Sequence, residues 1–200
     1  MIAKLYGRVE ALLSDRVLIC VQGIVFDVLC SARTLANLAL GQDVTLWIEH
    51  LFRAETQILC GFLSYDEQLC FREVTSVQGV GAKVALALLS LFPPQGVAQA
   101  ILEQDKQALL AADGVGSKMA ERLLMELKNS KWAKACADAF PLMSSKIHSP
   151  AEKDAVEALV SLGYDRFHAK NMIGELVQAA PQDSAEKLIK AALANQGRTG

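Results

Sequence analysis

The sequence has no C-x-x-C pair, no His/Asp constellation, no acidic cluster and no apolar run long enough to span a bilayer. Its five cysteines, Cys20, Cys30, Cys60, Cys70 and Cys136, are odd in number, and four lie in or beside apolar stretches, where cysteine behaves as a small hydrophobe. That pattern favours a reducing compartment over a disulfide frame and speaks against zinc or an iron–sulfur cluster. His50, His148 and His168 are scattered and read as structural or surface groups. The N-terminus lacks a signal-peptide pattern, and the longest apolar run, near Val84–Leu89, is short. A cytoplasmic protein without membrane contact, metal or cofactor is expected. Neither positive nor negative residues predominate. The net charge is −2, so any contact with a polyanion must come from local geometry and not from a general basic field. Residues 1–63 carry five Lys/Arg against six Asp/Glu, and residues 64–137 carry eight against eight, so neither segment is basic.

What is present is apolar: 52% hydrophobic and 21% charged residues suit folded cores, and the length suits two small domains or three very small ones. The fold class expected is α+β and multidomain. In residues 1–63, Ala3, Leu5, Gly7 and Val9 alternate with Lys4, Tyr6 and Arg8 as in a half-buried strand. Val17–Val21 and Ile24–Cys30 flank Gln22-Gly23 as a hairpin, and Val44–Ile48 and Ile58–Phe62 complete five short strands. Five strands with no long helix between them fit a small barrel of the OB type, closed because an open sheet would leave edges. His50–Gln57, between the last two strands, reads as a hairpin tip or solvated loop.

From Tyr65 the period becomes helical, and two short stretches repeat. Gly79-Val80-Gly81-Ala82-Lys83 and Gly114-Val115-Gly116-Ser117-Lys118 lie 35 positions apart, each after a helix-forming segment and before an apolar helix. Glycines permit turns that a side chain forbids, and each valine can tuck between the flanking helices. The helix that follows begins with unpaired N–H groups at the positive end of its dipole, an anion site with Lys83 or Lys118 on its rim. The pair reads as tandem helix-hairpin-helix motifs, which hold the nucleic-acid backbone without reading bases. Phe92-Pro93-Pro94 stops the first hairpin's helix, Asp105 caps Lys106–Leu110, and a long helix is expected from Ser117 through Leu127 towards Trp132. Residues 64–137 thus form one helical domain.

Residues 138–149 lose periodicity and read as a flexible linker. Ser149-Pro150-Ala151-Glu152 is a capping box that starts a helix ending at Gly163. Asp165 and Asp183 can cap two more, giving a minimal three-helix bundle in residues 150–200, too small for a catalytic pocket and suited to docking.

The order of these parts, with Met1-Ile2-x-x-Leu5-x-Gly7, Phe71-Arg72-Glu73, the two hairpins, Ala120-Glu121-Arg122-Leu123 and Ala158-Leu159-Val160-x-Leu162-Gly163-Tyr164, resembles the RuvA family of bacterial Holliday-junction branch-migration proteins over essentially the whole chain. The resemblance implies a homotetramer, alone or as two tetramers clasping one four-way DNA junction. It also implies recruitment of the RuvB motor ATPase and participation with the RuvC resolvase in a larger complex. Gly79, Val80, Gly81, Lys83, Gly114, Val115, Gly116, Ser117, Lys118 and Arg122 become the DNA-binding residues, with no intrinsic catalysis. Leu159, Leu162, Tyr164 and Leu193 become candidates for the motor interface. The family carries two adjacent acids as a pin on the hairpin between the last barrel strands; here the pair is Ala54-Glu55, so only Glu55 is ionised. Ser117 also stands where the family commonly has Lys, and Asp113 where it often has Pro, which loosens the expected grip of the second hairpin.

Enzymatic and non-enzymatic alternatives compete with this reading. A helix-hairpin-helix nuclease or glycosylase needs clustered metal-binding acids or a carboxylate beside a base pocket, and the sequence shows neither. An ATPase needs the Gly-Lys-Ser/Thr order of a phosphate loop, which Gly116-Ser117-Lys118-Met119 lacks. A structural adaptor, in which both hairpins are only turns, is the non-enzymatic alternative that near-neutral charge leaves open.

Overall fold

The computed structural model describes residues 1–53, 56–139, 150–164, 169, 172–174, 176–177 and 184–196, in two compact units, Met1–Cys136 and Ala137–Gly200. The first unit opens with five strands: β1 (Lys4–Leu12), β2 (Arg16–Val21), β3 (Ile24–Cys30), β4 (Asp43–Arg53) and β5 (Thr56–Phe62). They close in the order β1-β2-β3-β5-β4. Every pairing is antiparallel except β3 with β5, which run parallel through Val28↔Leu59, Leu29↔Cys60 and Cys30↔Gly61. The inward positions Val9, Val17, Ile19, Val28, Leu46 and Ile48 are each 1% exposed or less. Burying such a side chain is worth roughly 1.5–3 kcal/mol. At the parallel seam the barrel walls approach so closely that a Cβ on Gly61 would lie 2.6 Å from Val28 Cγ1, so only glycine fits there.

The ladder runs further than the sequence suggests. β4 continues to Arg53 and β5 starts at Thr56, with Leu51↔Ile58 and Arg53↔Thr56 still in register. Most of His50–Gln57 is therefore strand and not loop. A short helix, α1 (Ala32–Ala36), capped by Ser31, was also not visible in the sequence.

The hairpin region follows as α2 (Tyr65–Ser76), α3 (Ala82–Leu91), α4 (Pro94–Leu102), α5 (Lys106–Leu110), α6 (Ser117–Leu127) and α7 (Lys131–Ala139). The expected long helix from Ser117 towards Trp132 is in fact two. Ser130 interrupts it, its hydroxyl accepting from the Trp132 N–H at 3.1 Å and donating to Glu73 Oε2 at 2.8 Å. The Phe71-Arg72-Glu73 triplet fastens this region in three directions. Phe71 packs on Phe62 of the barrel with ring centroids 5.1 Å apart. Arg72 Nε donates to Glu49 Oε2 on β4 at 2.5 Å, and Glu73 holds Ser130. Gln68, 2% exposed, donates to the Ile48 carbonyl at 2.7 Å, and Ser90 on α3 accepts from the Ala32 N–H at 2.8 Å. The hairpins are therefore held firmly against the barrel.

The second unit contains α8 (Pro150–Ser161) and a helix over Ala185–Gln196, with helical residues at 169, 172–174 and 176–177 between them. Their common core includes Ala155, Val156, Leu159, Ala169, Ile173, Leu188 and Ala192. α8 begins at Pro150, as expected. It ends in a Schellman cap: Gly163 has φ +95°, its N–H donates to the Val160 carbonyl, and the Tyr164 N–H donates to the Leu159 carbonyl. The expected linker and Ser149 lie mostly or wholly outside the described residues. Among the described residues no single helix is long and apolar enough to cross a membrane.

Candidate nucleic-acid interface

The two hairpins share one geometry. Val77–Val80 is a β-turn closed by the Val80 N–H on the Val77 carbonyl at 3.0 Å, and Ala112–Val115 is closed in the same way at 3.1 Å. The third residue of each turn has positive φ, +89° at Gly79 and +81° at Gly114, the conformation that a type II turn demands and glycine supplies. The second glycine of each pair is different. Gly81 (φ −101°, ψ 173°) and Gly116 (φ −87°, ψ 170°) are extended N-cap residues of α3 and α6. Any residue tolerates that backbone, and a Cβ on Gly116 would meet nothing within 4 Å. Nothing inside the fold requires glycine at 116.

How these helices begin sets them apart from most of their neighbours. Ser31, Ser64 and Asp105 cap α1, α2 and α5 with side-chain oxygens on N–H groups of the first turn. Gly81 and Gly116 offer no such oxygen, and neither α3 nor α6 has an acidic residue in its first turn. Both helices thus present open N–H groups at the positive end of the dipole. Lys83 and Lys118 are exposed beside them. Such an arrangement accepts an anion through backbone groups and a mobile ammonium, a combination suited to phosphate oxygens.

Of the residues assigned to DNA from the sequence, Val80 and Val115 have structural partners within the hairpins. Val80 and Val115 are each 7% exposed, and their N–H groups close the turns. They plug the hairpins. Ser117 Oγ lies 3.4 Å from Glu121 Oε1, and the same oxygen accepts from Lys106 Nζ at 2.6 Å. The Lys106 ammonium, with a smaller contribution from the Ser117 hydroxyl, holds the Glu121 carboxyl below its ordinary range. A carboxylate therefore stands within the first two turns of α6, and Asp113 is exposed in the turn before it. The first hairpin has no such competitor on its own helix, although Asp15 of the β1–β2 connection feels Lys83 electrostatically. Arg122 Nη1 donates to the Gln78 carbonyl at 2.8 Å across 44 positions of sequence. Neither this contact nor that of Lys106 with Glu121 leaves a local signal in the sequence.

Glu55 and its neighbour Ala54 lie outside the described residues; the β4–β5 ladder is described up to the Arg53↔Thr56 pair. In the second unit Leu162 is 60% and Leu193 38% exposed, and Tyr164 is half-buried against the core. Leu159 is fully buried. It is a core residue, which corrects its assignment to a partner surface. Among the described residues no group of His, Cys, Asp and Glu could hold a metal ion. Burial pushes the Cys30 and Cys60 thiols up to about 12, and Cys70 well above its ordinary value.

Family models match three successive stretches: the RuvA N terminal domain over residues 1–61, the SAM-like helix-hairpin-helix tandem over 71–129, and the RuvA C-terminal domain over 150–195. Proteins named Holliday junction branch migration complex subunit RuvA are similar along nearly their whole length. That of Paramagnetospirillum magneticum is 40% identical, covering 99% of this chain and 98% of its own. That of Rickettsia prowazekii is 38% identical and that of Rickettsia bellii 37%, each covering 98% of both chains. With a closed five-stranded barrel, twin hairpins and a helical C-terminal unit matching in order, this chain belongs to the RuvA family.

Proposed function

We infer that this protein binds four-way DNA junctions by their shape and serves as the non-catalytic subunit of a branch-migration complex. The observation that carries this reading is the repeated hairpin: two uncapped helix N-termini, each entered through a glycine and flanked by an exposed lysine. Contacts of that kind hold phosphates and ignore bases, so a junction can slide while it stays bound. Gly79, Gly81, Gly114 and Gly116 line the backbone approach, and Lys83, Lys118 and Arg122 supply charge.

The assembly is a homotetramer, because a junction opened into a square has four equivalent arms and a closed fourfold ring treats them alike. Residues 1–63 form the ring core, 64–137 grip the arms, 138–149 give reach, and 150–200 recruit the RuvB motor through Leu162, Tyr164 and Leu193. Glu55 supplies one carboxylate per subunit to the central pin, where Ala54 supplies none. Two tetramers clasping one junction, and joint action with RuvC, belong to the same reading, as does a cytoplasmic location.

A gel-shift of the purified chain with four-way and linear duplex DNA tests this. Preference for the junction, without cleavage and without nucleotide hydrolysis by the protein alone, is the expected result. Equal affinity for both DNAs, or metal-dependent cutting, overturns it.

A further inference from the structure

The two hairpins are not independent. Arg122 projects from α6 four residues after Lys118, on the same helical face. Its Nη1 donates to the carbonyl of Gln78, inside the first hairpin's turn, and stands 3.5 Å from where a Cβ on Gly79 would be. The opposite crossing is purely steric: a Cβ on Gly114 would come within 3.2 Å of Val84 Cγ2 on α3. Each glycine turn therefore abuts the other repeat's helix. The internal repeat is unequal at this seam, since the position equivalent to Arg122, 35 residues earlier, is Ala87. A guanidinium carries five N–H donors. One is spent on Gln78, and among the described residues the other four have no protein partner.

We propose that Arg122 is a positioning residue that couples the two phosphate clamps, fixing the first hairpin's turn against the second hairpin's helix so that both engage the DNA backbone as one unit. The inference rests on the phosphate contacts proposed above. Lysine cannot substitute. A planar fork can hold a carbonyl with one N–H while its remaining donors point elsewhere, whereas an ammonium is a single point of charge. Arg122 thus ties the Gln78–Gly79 turn of the first hairpin to α6 of the second.

The test is an equilibrium titration of the full-length protein with a fluorescent four-way junction across a range of salt concentrations. It compares wild type, Arg122→Gln, Arg122→Lys, Lys83→Ala and the Arg122→Gln/Lys83→Ala double variant. Coupling predicts that Arg122→Lys loses nearly as much affinity as Arg122→Gln. It also predicts that Lys83→Ala costs about tenfold less in the Arg122→Gln background than in wild type, within the range seen for residues of one network. The slope of log K against log salt falls by more than about one per subunit in Arg122→Gln, because contacts at both hairpins weaken. Additive losses, rescue by lysine, or a slope change of about one would reduce Arg122 to an ordinary phosphate contact and overturn the proposal. Should Arg122→Gln fail to fold, Arg122→Lys paired with Lys83→Ala carries the same cycle. A wild-type chain with no preference for junctions sinks the functional reading itself, so the two failures are distinguishable.

Discussion

At the scale of single residues, the two glycines of each hairpin answer to different demands. Gly79 and Gly114 sit at positive φ, so Gly79→Ala or Gly114→Ala forces a side chain into the left-handed region at a cost of about 1–2 kcal/mol. Gly116 has ordinary extended backbone and open space above its Cα. Gly116→Ala is therefore expected to leave urea unfolding unchanged within about 0.5 kcal/mol while weakening junction binding, because the added methyl stands where a phosphate approaches. Equal loss of stability at 114 and 116 would contradict this division. The thiols follow burial in the same way. Cys30 and Cys60, raised to about 12, and the buried Cys70, raised well above its ordinary value, offer little thiolate at neutral pH. Mass spectrometry after brief alkylation of the native protein should find these three unmodified, and modified only once denaturant is added.

At the scale of elements, helix caps divide the work. α1, α2 and α5 are closed by side-chain oxygens; α4 starts on proline, and α3 and α6 start on glycine with no side-chain cap. The openness is unequal, since Glu121 sits on α6 between Lys106 and Ser117. Glu121→Gln removes a carboxylate near the phosphate site and releases Lys106, while the lost ion pair is exposed and worth little. Tighter junction binding, a steeper salt dependence and a melting temperature close to wild type are expected from parallel gel-shift and thermal-unfolding measurements. Weaker binding would mean that Glu121 orders the hairpin instead of opposing DNA.

At the scale of the whole molecule, the proposed function gives gripping DNA and recruiting a motor to separate compact units. Leu162 and Leu193 are exposed and, among the described residues, lie outside the unit's core. Leu162→Asp and Leu193→Asp should therefore keep junction affinity and lose stimulation of the RuvB ATPase, read by gel-shift and by phosphate release. Loss of both activities together would place these residues in the fold and not at an interface.

Much of this was legible in the sequence because its causes are local. Alternation from Ala3 to Val9, the Asp105 cap, the stop at Gly163 and the twin Gly-Val-Gly turns each arise from neighbours within a few positions, where backbone sterics and short-range hydrogen bonds act. The same signals could not show that β3 pairs parallel with β5, that Ser130 splits a helix by reaching back to Glu73, or that Arg122 holds the carbonyl of Gln78. These contacts join residues that are 31, 57 and 44 positions apart at the Val28–Leu59, Glu73–Ser130 and Gln78–Arg122 pairs. They exist only after the chain has closed on itself, so packing alone decided them. The sequence by itself determined the five-strand pattern of residues 1–63, the twin glycine turns and the helix caps at Asp105 and Gly163. The tertiary structure decided which valines are plugs, which leucine is core, and which glycine the fold itself does not need.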